Sequence, residues 1–252
     1  MDKRLVIVGD SFCADRKIGT DWPIKLGHML GILLDGEGFG GRPWWTTRSW
    51  IYNNIESMDK NTILIVCHTA ASRLPSLKHH PISTGILHSS VNDPSNDLRK
   101  VDPNGELFKL AKDFYLSDLY VADFYDWAMA AWLQELNELS LRVHKLIHLP
   151  GPAAIQSFKN YHSNSIRIEP SLEYKALANL SMKELQPGDR KFIGPDARHN
   201  HLNEHNNIKL AEALYAIINS DSDTPNPVHF NNLAEWSFPG NAFSVRRDCE
   251  KY

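Results

Sequence analysis

A serine stands at position 11, after Gly9-Asp10 and directly behind the apolar run Leu5-Val6-Ile7-Val8. Far downstream, Asp196-Ala197-Arg198-His199-Asn200-His201-Leu202-Asn203 brings two imidazoles and a carboxylate together just ahead of a helical pattern. A serine hydroxyl is a weak nucleophile at neutral pH and needs an imidazole within hydrogen-bond reach to take its proton. A carboxylate on the other ring nitrogen fixes the imidazole tautomer and steadies the imidazolium. These residue types therefore point to nucleophilic acyl transfer, provided that the fold brings the two ends of the chain to one place.

The surrounding elements favour that convergence. Residues 4–8 read as a short β-branched strand, and a serine at its end sits where α/β folds put their chemistry. A helix opens at Asp21-Trp22-Pro23 and runs to about residue 30, with Asp21 able to cap it. Residues 31–34 read as a second strand running into the glycine-rich turn at 36–41, and residues 44–55 as a further helix. Residues 61–67 form a strand that is apolar on both faces, as buried parallel strands are. Residues 74–104, rich in Pro, Ser, His and Asn, read as a long loop inserted over the edge of the sheet. Between 117 and 141, Val121, Tyr125, Ala128, Trp132, Leu136 and Leu139 recur at helical spacing. Strands follow at 145–149 and 166–168, then helices at 172–185 and 203–219. The tail at 221–252 reads as irregular chain folded back on a single domain spanning 1–220. Strand and helix alternating in this way predict a mostly parallel sheet covered on both faces, with the strand ends aligned on one rim.

Four places in the chain resemble the SGNH (GDSL-type) hydrolase family. Gly9-Asp10-Ser11 is similar to its first block, Gly38-Phe39-Gly40-Gly41 to its second and His201-Leu202-Asn203 to its last. The third block, usually Gly-x-Asn-Asp, corresponds to Cys67-His68-Thr69-Ala70-Ala71-Ser72-Arg73 and lacks the asparagine. The resemblance implies a flavodoxin-like three-layer α/β/α sandwich and an ester hydrolase without cofactor. It implies Ser11 as nucleophile and His201 as base, partnered by Asp196. The family's aspartate three residues before the histidine is Arg198 here, so His199, which stands three residues after Asp196, remains the alternative base. The oxyanion hole would take the N–H groups of Ser11 and Gly41, with Gly40 as fallback, and a side chain in place of the asparagine. Thr69 is the candidate, with His68 and Ser72 as the other options. Asp10, Gly40, Trp44 and Arg73 are candidates for substrate contact. A narrower similarity links the same blocks to SGNH-like proteins of tailed bacteriophages. The implied substrate is a small-molecule or glycan ester, such as a sugar O-acetyl group.

Composition is compatible with this reading and excludes others. The 252 residues are 42% hydrophobic and 23% charged with a formal charge of −3, an ordinary globular balance without the basic footprint of a nucleic-acid or anionic-membrane binder. No stretch approaches the ~20 apolar residues of a membrane span, and no signal peptide is recognisable, so a cytoplasmic or virion-associated protein is expected. The three cysteines, Cys13, Cys67 and Cys249, read as reduced, with Cys13 a small buried hydrophobe. His199, His201 and His205 could converge on a metal only if the start of the helix did not interrupt them, so no metal is expected. Two rival readings remain: a non-catalytic binding or virion-structural protein that keeps the fold, suggested by the missing asparagine, and a nucleotide-binding domain. The second lacks both a G-x-G-x-x-G and a P-loop lysine after the first strand.

Overall fold

A computed structural model describes residues 3–14, 21–75, 82, 86–87, 102–150, 165–169, 204–220 and 228–229. The chain is an α/β protein. Six strands, β1 (Arg4–Gly9), β2 (Leu34–Asp35), β3 (Thr62–His68), β4 (Lys145–Pro150), β5 (Ile166–Glu169) and β6 (Val228–His229), lie in the order β2-β1-β3-β4-β5-β6, and every pairing is parallel. The first five follow the flavodoxin-like order, whose switch point lies between β1 and β3. Five helices accompany them among the described residues: α1 (Trp22–Leu30), α2 (Trp44–Asn53), α3 (Glu106–Leu116), α4 (Ala122–Ser140) and α5 (Glu204–Asn219).

The two-residue period of the strands sorts the core into two halves. Leu5, Ile7, Ile63, Ile65, Cys67, Ile147 and Leu149 face one way and bury Trp22 and Leu26 of α1 and Leu210, Ala211, Leu214 and Ile218 of α5. Val6, Val8, Leu64, Val66 and Leu146 face the other way, against Trp44 and Ile51 of α2 and Met129, Trp132, Leu133 and Leu136 of α4. This is the expected three-layer sandwich. The apolar run of β1 and β3 is explained by it, since a strand covered on both faces has no polar side.

Both ends of α5 are tied down. In its first turns Asn207 Oδ1 accepts the Trp22 backbone N–H at 3.1 Å. At its other end Lys145 Nζ donates to the carbonyls of Ile217, Ile218 and Ser220 at 3.0, 2.8 and 2.8 Å, which satisfies the last-turn acceptors and places a cation on the negative helix end.

Some sequence expectations need correction. The second strand is only Leu34–Asp35. Gly31 caps α1 in the left-handed conformation (φ 66°) and Leu33 is 91% exposed, so the chain is still leaving the helix where a strand was expected. Asp21 occupies the N-cap position of α1 but makes no capping bond with its side chain. Helix α3 was not foreseen. Its buried residues Phe108, Ala111 and Tyr115 cover Ile82 and Ile86 in a small separate cluster, which places part of the 74–104 stretch beneath a helix. Val228–His229 add a short strand within the tail read as irregular. The expected helix at 172–185, and most of 74–104 and of 221–252, lie outside the described residues. No helix among the described residues is long and apolar enough to cross a membrane.

On the α4 side of the sheet lies a buried polar chain. His68 Nε2 and His148 Nδ1 are 2.8 Å apart, His148 Nε2 and Ser165 Oγ are 2.8 Å apart, and the His68 ring lies 5.1 Å from that of Trp132. Burial, helped by the neighbouring His148, holds the His68 pKa well below the usual histidine value. Folded protein therefore keeps His68 neutral where the unfolded chain, titrating near ~6.5, takes up a proton. The sign follows: the contribution of His68 is complete above that pH and is lost as pH falls below it, with a limiting slope of about 1.4 kcal/mol per pH unit. Urea unfolding at pH 7.5 and pH 5.5 should show a fall in stability that is smaller in His68→Gln than in wild type.

Candidate active site

Three strands deliver their carboxyl-end loops to one rim, and glycine makes their approach possible. Gly9, the last residue of β1, has φ 150°, and a Cβ there would stand 2.3 Å from the Cys67 carbonyl oxygen of β3. On its other side the Gly9 N–H donates to Glu37 O at 3.2 Å, and the Phe39 N–H donates to Gly9 O at 3.1 Å, so the chain after β2 runs along the end of β1. Gly38 is pressed onto the next turn in the same way, since its Cβ would lie 2.4 Å from Cys13 O. Sequence alone places the 36–41 glycines in a tight turn. The structure adds that two of them also admit a neighbouring backbone, Gly38 that of Cys13 and Gly36 that of Ile7, whose carbonyl oxygen would lie 2.2 Å from a Cβ.

Ser11 opens a single 3-10 turn, Ser11–Cys13, at the end of β1. It is half-buried. Among the described residues, neither its hydroxyl nor its backbone N–H makes a hydrogen bond. The glycine turn is closed by the Arg42 N–H donating to Phe39 O at 3.1 Å, and Gly41 holds φ 73°, which favours glycine. The N–H groups of Gly40 and Gly41 likewise meet no acceptor among the described residues. Donors held out of secondary structure at the carboxyl rim of a sheet suit an incoming anionic oxygen. Behind the turn, buried Arg42 bonds Glu37 Oε2 at 2.9 Å and stacks over the Phe39 ring at 5.0 Å, which fixes the loop from inside.

Beneath Ser11 lies the Asp10 carboxylate, fully buried. Oδ1 caps the 3-10 turn by accepting the Phe12 N–H at 3.1 Å. Oδ2 meets Arg73 Nη1 at 3.3 Å, and the same nitrogen donates to Arg42 O at 3.2 Å. Burial pushes the Asp10 carboxyl above its ordinary value. Arg73, the Phe12 N–H and the adjacent Thr69 hydroxyl pull it back down.

The other candidates divide. Asp10 faces the interior and positions the serine loop; it does not reach a substrate. Trp44 belongs to the core, 7% exposed and stacked on Trp132 with centroids 5.7 Å apart, whereas its neighbour Trp45 is 45% exposed. Adjacent helical residues point about 100° apart, so Trp44 turns into the core, where it cannot contact a substrate, while Trp45 reaches the surface. Thr69 is 2% exposed and lies beside Asp10, with its hydroxyl buried away from the rim surface and making no hydrogen bond among the described residues. His68 is committed to His148. Arg73 bridges two loops. Gly40 is exposed with open space around its Cα. Cys13 is buried, its thiol 3.4 Å from Asp10 O. Asp196, His199 and His201 lie outside the described residues. The helix that follows them is nonetheless coupled to the serine loop: α5 holds Trp22 through Asn207, and Trp22 Nε1 donates to Phe12 O at 2.8 Å. Sequence reasoning missed two contributors. Tyr115 of α3 donates to Ser72 O at 2.6 Å and braces the turn carrying Arg73, and Trp22 serves as the link just described. Among the described residues no group of three His, Cys, Asp or Glu side chains could hold a metal.

No family model matches the chain and no curated protein matches it. Among solved structures, a protein from Desulfitobacterium hafniense DCB-2 described as lipolytic and of the G-D-S-L family is similar, with 14% identity over 86% of this chain and 99% of that one and a TM-score of 0.41. The rim geometry makes its own prediction. Gly9→Ala should cost about 2–4 kcal/mol, because backbone on a neighbouring strand cannot yield to the new methyl, while Gly40→Ala should stay within ~0.5 kcal/mol of wild type. Chemical denaturation of the two variants side by side measures the difference.

Proposed function

We propose that the chain is a serine ester hydrolase that works through an acyl-enzyme intermediate. One observation carries the reading: a half-buried serine at the carboxyl end of β1 and beside the switch point, next to a left-handed glycine turn, where among the described residues neither the serine hydroxyl nor the Gly40 and Gly41 N–H groups make a hydrogen bond. In this reading Ser11 Oγ attacks the acyl carbonyl as His201 takes its proton, and Asp196 orients the imidazole; His199 is the alternative base. The oxyanion accepts from the Ser11 and Gly41 N–H groups, with Gly40 as a further donor. His201 then returns the proton to the departing alcohol, and water, activated by the same base, releases the acid and frees Ser11. The docking of α5 through Asn207 and Trp22 onto the serine loop supports a base carried just ahead of that helix. The substrate class we propose is a small acyl ester, including O-acetyl groups on a glycan.

A second reading, a binding protein that retains the fold without turnover, is favoured by one observation. Thr69, the residue that would replace the absent asparagine, is buried beside Asp10 and His68 is held by His148, which removes two of the three side-chain candidates for the oxyanion. Losing one donor of such a set typically costs about 3 kcal/mol of transition-state stabilisation. A fluorophosphonate probe and p-nitrophenyl acetate separate the readings. The hydrolase predicts a covalent adduct on Ser11, abolished in Ser11→Ala. It also predicts a loss of about 10²–10⁴ in kcat on replacing whichever of His201 and His199 is the base. Folded protein that takes no label and turns over no ester supports the binding protein instead.

A further inference from the structure

The structure assigns to Arg73 a positioning role: its Nη1 clamps the serine loop to the glycine turn by holding the Asp10 carboxylate and the Arg42 carbonyl at once. The inference rests on the hydrolase reading for its catalytic consequence, but not for the clamp itself. Three segments remote in sequence meet at this nitrogen. Asp10 Oδ2 is at 3.3 Å, and the same carboxylate holds the Ser11–Cys13 turn through the Phe12 N–H. Arg42 O is at 3.2 Å, one residue beyond Gly41 and within the turn closed by the Arg42 N–H on Phe39 O. Arg73 itself is presented by the turn after β3, where its N–H donates to Ala70 O at 3.3 Å and Tyr115 grips the preceding carbonyl from α3.

The arrangement is built for a guanidinium. A buried carboxylate needs a paired cation, and removing that cation leaves an uncompensated charge. The main-chain acceptor on the other loop needs a donor at the same point, and the two hydrogens of the planar Nη1 group supply both contacts from a fixed geometry. Nothing else described joins the Asp10 carboxylate to the 39–42 turn. Parallel strands fix the registers of β1 and β3, and among the described residues the turn after β2 meets the serine loop through the Gly9 backbone pair, the packing of Gly38 on Cys13 and this side chain, of which only the side chain holds the Asp10 carboxylate. The donors on the two loops must point at one oxygen, and an error of about 1 Å in such a site can cost about 10²-fold in rate.

The test uses the full-length chain with Arg73→Met and Arg73→Lys, read by amide hydrogen exchange over 9–14 and 37–43 and by steady-state hydrolysis of p-nitrophenyl acetate. The Phe12, Phe39 and Arg42 amides are the reporters, since each is bonded across or within the clamped loops. Arg73→Met should speed exchange in both segments by about tenfold, with the strand amides of β3 and β4 little changed. It should lower kcat by about 10–100-fold with KM within about twofold, and Arg73→Lys should fall between it and wild type. Unchanged exchange in either segment overturns the clamp, and so does a rise in KM at constant kcat, which would make Arg73 a substrate contact. If Arg73→Met does not fold, Arg73→Lys decides: local acceleration in both segments supports the clamp and none refutes it. If wild type proves inert towards esters, the exchange data still decide the clamp, and only the hydrolase reading falls.

Discussion

The site depends on how closely main chain can approach main chain at the end of β1. Gly9 is bounded by the Cys67 carbonyl of β3 on one side and by the Glu37–Phe39 backbone on the other, with no room for a methyl group. Three loops are thereby forced into one small volume at the switch point of the sheet. Crowding of this kind creates a second requirement. The carboxylate of Asp10, caught beneath the loops, loses water, and the energy of an isolated buried charge would be prohibitive. Arg73 and the Phe12 N–H meet that requirement together. The polar residues under the serine are consequences of a steric fact about a glycine.

Much of the frame could be read from residue order, because it rests on periodicity. Leu5–Val8 and Ile63–Val66 are apolar at every position, which only a strand covered on both faces explains, and both prove to be central. The serine at a strand end followed from the same pattern. Other features escaped for physical reasons. The partner of Asp10 lies 63 residues away, and nothing local to Gly9-Asp10-Ser11 marks its carboxylate as buried. His68 reads as a polar residue after a strand, yet it is the last residue of β3 and its register turns it inward onto His148. Trp44 and Trp45 are identical in type, and only the phase of α2 decides which is core. Helix α3 follows a polar, proline-bearing stretch and serves a satellite cluster instead of the sheet, so the strand–helix alternation gave no reason to look for it, although Phe108, Ala111 and Tyr115 carry the period.

Two kinds of restraint hold the rim, and they differ in what they tolerate. The apolar halves of the core, built from alternating strand residues and four helices, can absorb small volume changes by local shifts. The polar links cannot, since each is a single contact between distant segments: Asn207 to Trp22, Trp22 to Phe12, Arg73 to Asp10, Tyr115 to Ser72. A buried donor or acceptor left alone costs its full desolvation. The core therefore provides most of the stability, and these few links provide the alignment.

The anchoring of α5 by Lys145 has a mechanical consequence. A helix of 16 residues is a stiff rod about 24 Å long, and its far end lies at Glu204, three residues from His201. Released at the Lys145 end, the rod would pivot about its contacts with α1 near its middle, and a tilt of about 5° would swing the opposite tip by about 1 Å. An ammonium group on the amino-terminal side of the sheet thus restrains one arm of a lever whose other arm ends on the carboxyl side, so that neutralising Lys145 would be felt on the far side of the molecule.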